Sequence, residues 1–486
     1  MKKLFILLLI LLFFPILFIG FQTDADVYAY MGRLLVNGFI PYVDGWDHKG
    51  ISLYFINALG YLIGLKSITG IRILELILIS YSFLNFYKTI AQKYSELIAF
   101  ISMTVGIFTL KYFFDGGNLT EEYGVIFVLI CLSLFLKKQL RTIDYAIIGA
   151  LFIINFTIRA NLISFWCALF FFYIIQLFTQ KIDFKQFLLT FLKMGYGAVS
   201  VIAIYLVYFL STNSLHEFID AAFVFNFSYS DSTFASTLIS IKTSLTRYHL
   251  SYIFLLGFLL SVIRFNKDKN RVLELLLIFW IPIEIYFSNM SNRLYAHYFL
   301  MWIPLLILST IVILTAIKER LSFSNRKILL ASSLVFLVCF YVPMYMTFKN
   351  YKSLIVVPEI NTSDKISQHI LNNYKNETLL VWGNKSSIYN STTKTAPITF
   401  FYHSIFKQNT ELIRSKINQF SKEILQKKPT LIIDAKRNGL LHLDNSNSNE
   451  IEHPQKRNLE EFMSIFKTNY IFKEQKFGVD FYILKQ

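Results

Sequence analysis

The sequence predicts a polytopic α-helical membrane protein. About eleven transmembrane helices are expected, with an interfacial helix in the first outer loop and a small α/β domain at the C-terminal end. Three observations carry that expectation. Hydrophobic residues make up 55% of the 486 residues, against 16% charged residues, too much apolar surface for a water-soluble core at that charge density. The apolar residues fall in runs long enough to cross a bilayer. Lys and Arg gather in every second loop, as they do on the cytoplasmic side of a membrane protein. Together these exclude a disordered chain, a secreted disulfide scaffold and a soluble enzyme. The net charge of +16 is then a property of loops beside a lipid bilayer, not a sign of nucleic acid. Cys131, Cys167 and Cys339 all lie inside apolar runs and imply no disulfide.

Met1-Lys2-Lys3 followed by an apolar run from Leu4 to Phe21 begins like a signal peptide, but no small-x-small cleavage site follows. An uncleaved anchor with its basic end in the cytoplasm is expected. Further spans are expected near 71–91, 95–113, 119–136, 143–158, 160–179, 187–211, 248–265, 272–288, 294–316 and 327–347. The run 143–158 is the shortest for the ~20 residues a span needs.

Segment 51–65 is apolar but short, and Asn57, Gly60 and Gly64 interrupt it. Charge decides its placement. If it lies along the membrane surface, six short cytoplasmic stretches collect 17 basic residues, from Lys2/Lys3 to Lys318/Arg320/Arg326/Lys327. If it crosses, every later loop flips and the charge rule fails repeatedly. The N-terminus is therefore expected inside and residues 348–486 outside. This divides the chain into a transmembrane catalytic domain, 1–347, with a first outer loop at 22–70, and an extracytoplasmic domain, 348–486. In the latter, strand-like runs at Leu379–Trp382, Thr430–Ile433 and Phe481–Leu484 alternate with helical stretches. Open antiparallel arrangements remain an alternative there.

On the expected outer face the polar residues converge. Asp24, Asp26, Asp44, Asp47, His48 and Lys49 lie in the first loop, and Arg72 and Glu75 begin the second span. Glu121 and Glu122 open the fourth span and Arg159 sits in the turn after the fifth. His249, Glu284, Arg293 and His297 lie near the ends of later spans. Ionisable groups at that depth cost several kcal/mol unless paired or wetted, so their number suggests a shared polar cavity. Taken singly, each is equally a solvated loop charge. Asp24-Ala25-Asp26 has the D-x-D form that holds a metal in nucleotide-sugar enzymes, but it faces outward, where such donors are not expected. A carboxylate poised at the membrane boundary as a general base is the better reading.

The wider stretch, Asp24-Ala-Asp-Val-Tyr28-Ala-Tyr30 and then Gly38-Phe-Ile-Pro41-Tyr42-Val-Asp44-Gly-Trp46-Asp47-His48-Lys49-Gly50, resembles the first outer loop of GT-C superfamily membrane glycosyltransferases. The likeness is to the branch related to the lipid A aminoarabinose transferase and the protein O-mannosyltransferases. That branch shows an acidic residue just after span one, a G-x-x-P-Y-x-D turn and a D-H-K followed by Gly-Pro or Pro-Pro; here Gly50-Ile51 replaces the proline pair. Weaker echoes are Gly116–Glu122, Asn292–Tyr298 and Val381-Trp382-Gly383. In that superfamily the segment after the H-K motif is a juxtamembrane helix, which agrees with the charge argument for 51–65.

The resemblance implies a donor sugar on a polyprenyl phosphate, presented at the outer leaflet. The acceptor would be a hydroxyl of a glycan, glycolipid or protein of the cell envelope. Asp24 matches the catalytic aspartate by position and would be the base of an inverting transfer. Asp26 would orient the acceptor or is a loop charge. Lys49, in the matching motif, is the first candidate to stabilise the leaving phosphate. Arg72, Arg159 and Arg293 follow, each equally explained by headgroup contact. His48 and His297 are candidates for phosphate or sugar hydrogen bonds, with Tyr298 beside His297. Glu121 would bind sugar hydroxyls or cap a helix. No zinc spacing, P-loop or G-x-S-x-G occurs, so no cofactor is implied, and a divalent ion at the carboxylates stays open. An oligosaccharide polymerase or ligase is the alternative enzyme. A flippase or transporter ranks below it, because transporters place charges near the midplane and carry inverted repeats.

Overall fold

A computed structural model describes residues 1–229, 233–248, 250–321 and 362–485. Its helices, in chain order, are α1 (Lys2–Phe13), α2 (Thr23–Val36), α3 (Ile51–Ile63), α4 (Thr69–Lys93), α5 (Glu96–Phe113), α6 (Thr120–Phe135), α7 (Thr142–Ile158), α8 (Ser164–Phe178), α9 (Phe184–Ser211), α10 (Leu215–Ile219), α11 (Phe225–Tyr229), α12 (Phe234–Arg247), α13 (Ser251–Lys267), α14 (Val272–Asn289) and α15 (Trp302–Leu321). The C-terminal segment adds α16 (Thr362–Asn373), α17 (Ser387–Thr392), α18 (Glu411–Lys427) and α19 (His453–Asn469). Its four strands are β1 (Leu379–Trp382), β2 (Leu431–Asp434), β3 (Tyr470–Lys476) and β4 (Val479–Leu484). The chain clusters into two compact units. One comprises Met1–Gly20, Arg72–Tyr208 and Ser230–Val356; the other comprises Phe21–Ile71, Phe209–Tyr229 and Val357–Gln486.

The first unit is the helical, apolar one, and the chain is a multi-pass membrane protein. Six described helices are long and apolar enough to cross a bilayer: Thr69–Lys93, Glu96–Phe113, Ala160–Phe178, Phe184–Ser211, Val272–Asn289 and Trp302–Glu319. Of the other expected spans, 143–158 is helical throughout, whereas 4–21, 119–136 and 248–265 hold shorter helices, α1, α6 and α13. The run 4–21 ends its α-helix at Phe13, where Pro15 enters a 3-10 turn, Phe14–Phe18, because proline has no N–H to continue the ladder. The run expected at 294–316 becomes helical only at Trp302, preceded by a short 3-10 turn at Ala296–Phe299. Pro304 sits in the first turn of α15, where its missing N–H costs nothing. The expected span 327–347, the 347/348 boundary and His249 lie outside the described residues.

The second unit joins the first outer loop, part of the second and the C-terminal segment. Helix α3 has 13 residues, about 20 Å at 1.5 Å per residue, short of the ~30 Å hydrocarbon core. It packs closely on α2: a Cβ on Gly32 would fall 2.6 Å from the Cβ of Asn57, so only glycine permits that approach. The sheet order is β1-β2-β4-β3, with β1 and β2 parallel and the other pairings antiparallel. The α/β expectation and its three strands are thus present; β3 is additional. It joins β4 through Phe477 and Gly478, both at positive φ, the conformation a tight hairpin demands. Trp382, His403, Phe406, Phe420 and Phe462 form the core beside the sheet, all essentially buried.

Three contacts tie the first loop to the C-terminal segment. Arg33 of α2, 1% exposed, donates to the carbonyls of Tyr389, Thr393 and Lys394 and stacks on Tyr30. The Trp46 N–H donates to the Thr399 carbonyl at 2.9 Å, and the Thr399 hydroxyl returns a bond to the Val43 carbonyl. Lys416 of α18 lies over the Trp46 ring and pairs with Asp220 at 3.1 Å.

Candidate functional site

In the second unit the polar cluster is built where α2 begins and where the first loop turns into α3. Asp24 and Asp26 occupy the first turn of α2, a position the helix dipole favours for carboxylates. Two residues apart on a helix, they point about 200° from each other. Asp24 is exposed, whereas Asp26 is 7% exposed, and its carbonyl and carboxylate accept bonds from the Asn390 amide. Asp26 thus helps hold the C-terminal segment, and Asp24 faces out.

The loop that follows is shaped by Asp44, whose carboxylate accepts the Ile40 N–H at 2.6 Å, and by Tyr42 at positive φ. It delivers Asp47, His48 and Lys49 to the start of α3. Asp47 is 1% exposed and accepts hydrogen bonds from the Tyr402 hydroxyl at 2.6 Å and the Tyr54 hydroxyl at 2.7 Å. The His48 Nδ1 lies 3.3 Å away. The His48 Nε2 faces the Lys49 Nζ at 2.9 Å. Burial works against the Asp47 charge, but the His48 hydrogen bond, the Lys49 ammonium and the Tyr402 hydroxyl more than offset it and hold its carboxyl well below the usual range. Burial and then the Lys49 charge push His48 down, against the pull of Asp47 and Asp24. Burial and the adjacent Asp47 raise both tyrosines. At neutral pH these shifts keep the Asp47 carboxyl ionised and favour a neutral His48 imidazole. The Asp24 charge is felt at both His48 and Tyr402.

The first unit carries a second polar cluster, at the ends of α4, α5, α6, α7 and α15. Arg72, 3% exposed, donates to Glu75 at 2.9 Å and to the carbonyls of Ile19 and Gly20. Glu75 in turn accepts the Asn118 N–H at 2.9 Å. Asp115, Gly116, Gly117 and Asn118 all have positive φ, a turn that needs its glycines. A Cβ on Gly117 would meet the Glu75 carboxylate at 2.2 Å. Glu121 is bonded by the Arg159 guanidinium and by the Thr120 hydroxyl, and Arg159 lies 4.2 Å over the Tyr298 ring. His297 meets Asp115 at 3.0 Å. Arg293 is exposed in the non-helical stretch before that histidine.

Of the residues expected from sequence, His48 and Lys49 thus share one cluster with Asp47, within electrostatic reach of Asp24, and Glu121, Arg159, His297 and Tyr298 are linked in another. Sequence reasoning assigned no role to Tyr54 or Tyr402. Tyr54 follows Asp47 by seven residues, but nothing in the sequence links Tyr402 to the first loop. The Arg72–Glu75 pair was legible from its i, i+3 spacing. Glu284 is bonded by the hydroxyls of Ser164 and Ser288, which also accept from the Trp280 and Trp302 indoles; it has the satisfied pattern of a buried structural carboxylate. Among the described residues no group of three or more His, Cys, Asp or Glu is placed to hold a metal ion.

No family model matches the chain, and no curated protein matches its sequence. Solved structures do match its fold, among them two of ArnT from Cupriavidus metallidurans, one bound to undecaprenyl phosphate and one in the apo state. Each superposes with a TM-score of 0.63 over 99% of this chain and 97% of the other, at 10% and 11% identity respectively. From end to end, the chain has the polytopic helical fold of ArnT, with its small C-terminal sheet.

Proposed function

We propose that this protein is a membrane glycosyltransferase that moves a sugar from a polyprenyl-phosphate donor to an acceptor hydroxyl on the extracytoplasmic face, in cell-envelope glycan, glycolipid or glycoprotein synthesis. The observation that carries this reading is the fold shared over the whole chain with a protein seen bound to undecaprenyl phosphate, joined to the first-loop stretch that holds Asp24, His48 and Lys49. The basic residues of alternate loops support a cytoplasmic N-terminus and an extracytoplasmic C-terminal segment.

In this reading the acceptor oxygen attacks the anomeric carbon and the new C–O bond forms as the bond from that carbon to the phosphate oxygen breaks. The phosphate leaves with the electron pair, and the acceptor's proton passes to the Asp24 carboxylate. Attack from the face opposite the phosphate inverts the sugar. Asp24 suits the base because it is the exposed carboxylate of the pair, while Asp26 is tied to Asn390. Polyprenyl phosphate is a weakly basic leaving group, so charge stabilisation matters more than an acid. Lys49 is the favoured clamp. Arg72 and Arg159 already neutralise Glu75 and Glu121, so each offers less net charge to a phosphate than Lys49.

The test is sugar transfer by the full-length chain in lipid nanodiscs. Asp24→Asn should lower turnover by about 10²–10⁴-fold, the range for a lost general base, with donor binding retained. Wild-type turnover in that variant removes Asp24 from the mechanism.

A further inference from the structure

We infer that Asp47, gripped by Tyr402 of the C-terminal segment and by Tyr54, is a positioning residue that acts through His48 to aim the Lys49 ammonium at a lipid-borne phosphate. The inference rests on the clamp role proposed for Lys49, and it gives the C-terminal segment a task in donor binding.

Asp47 is almost wholly shut off from water. A carboxylate 1% exposed persists only if donors surround it. Two are tyrosine hydroxyls at 2.6 and 2.7 Å, both raised above their ordinary range and therefore protonated at neutral pH. The third neighbour is the His48 Nδ1. An ionised carboxylate only accepts, so that nitrogen carries the proton. A neutral imidazole protonated at Nδ1 presents a lone pair at Nε2, where the Lys49 Nζ stands at 2.9 Å. One N–H of the ammonium is thereby fixed in direction. Lysine has a flexible four-carbon stem, and fixing one donor before the phosphate arrives lowers the ordering cost of binding. The Lys49 backbone is anchored as well, since its carbonyl accepts the Tyr42 hydroxyl at 2.9 Å.

Charge points the same way. Asp47 and Lys49 balance across the neutral ring, so the pair is tolerated beside apolar walls formed by Trp46 and Phe225. Removing the Tyr402 hydroxyl takes one charge-assisted bond from Asp47 and loosens the ring that holds Lys49. Tyr402 itself is set by the neighbouring Thr399, which exchanges backbone and hydroxyl bonds with Trp46 and Val43. The C-terminal segment thus reaches the ammonium through three side chains: Tyr402, Asp47 and His48.

The test measures binding of undecaprenyl phosphate to the full-length chain in nanodiscs, with melting temperatures to verify folding. Lys49→Ala should weaken binding at least 30-fold. His48→Ala and Asp47→Asn should each weaken it about tenfold, and Tyr402→Phe, which keeps the ring and its packing, about fivefold. His48→Gln should stay within threefold of wild type, because its amide oxygen can accept from Lys49 where Nε2 did. In that His48→Gln background Asp47→Asn should cost nothing further. A merely structural Asp47 would weaken binding equally in both backgrounds, and that result overturns the proposal. Loss of binding in Lys49→Ala with wild-type binding in both Asp47→Asn and Tyr402→Phe also overturns it while leaving the clamp in place. Wild-type binding in Lys49→Ala removes the clamp reading itself and this inference with it.

Discussion

Replacing Arg33 by Met should loosen the whole second unit, because one guanidinium closes the end of a helix in a distant part of the chain. Arg33 donates to the Thr393 carbonyl at 2.8 Å, to Lys394 at 2.6 Å and to Tyr389 at 3.2 Å. These carbonyls lie at or beyond the end of α17, where backbone acceptors lack intrahelical partners. Methionine fills similar volume but leaves three acceptors without that donor. Each unsatisfied buried acceptor costs about 1–3 kcal/mol. Carbonyls keep a second lone pair and the buried cation no longer needs desolvating, so the low end applies, about 3 kcal/mol in all. For a unit of this size 1 kcal/mol moves the midpoint by about 2–4 °C, giving a loss of about 6–12 °C. Tryptophan fluorescence on heating reads it, since Trp382 lies in the core of the same unit. Arg33→Lys should fall between the two, as a point charge that satisfies fewer carbonyls. A midpoint for Arg33→Met within about 2 °C of wild type would refute the reasoning, because 3 kcal/mol cannot hide in so small a shift.

Three further outcomes are expected. Glu474, bonded by Tyr374, His369 and Lys476, is lowered to about 2 because those partners outweigh its burial. A depressed carboxyl stabilises the fold above its unfolded pKa and loses that contribution as pH falls. The melting difference between wild type and Glu474→Gln should therefore be full above pH ~5 and shrink steadily toward pH ~3; a difference independent of pH would contradict it. Gly117→Ala should destabilise the first unit by about 1–3 kcal/mol, since the turn holds φ at +80° and a methyl group would strike Glu75; an unchanged melting temperature would contradict that. A double-mutant cycle on Glu121→Gln and Arg159→Gln should show coupling of about 0.5–3 kcal/mol in stability, and strict additivity would remove the ion pair.

Much of this architecture was legible in the residues. The apolar runs mark helices, and the loop charges kept α3 out of the spans, in keeping with its 13 residues. The expected strands appear within a residue or two of their places. What was not legible has physical reasons. Leu294 to Phe299 is apolar enough to extend a span, yet the helix waits for Trp302, with Pro304 in its first turn as the signal. Strand β3 shows no alternation because it is an edge strand exposed along most of its length. Helix α12 was hidden in a loop of Ser and Thr, and only the Thr233 cap hints at it. In the site, Asp24, His48 and Lys49 were readable from the stretches 24–30 and 38–50 and their likeness. Tyr402 was not, because 355 positions separate it from Asp47 and only folding brings them together.

In the proposed function a sugar travels from a polyprenyl phosphate to an envelope acceptor through Asp24. Mass spectrometry of lipid-linked intermediates and envelope glycans, comparing cells carrying the wild-type gene with cells carrying Asp24→Asn, tests it most directly. One polyprenyl-linked sugar should accumulate in the mutant while the same sugar disappears from one glycan, glycolipid or protein. Identical lipid and glycan profiles in the two strains, with the variant present in the membrane at normal levels, would contradict it.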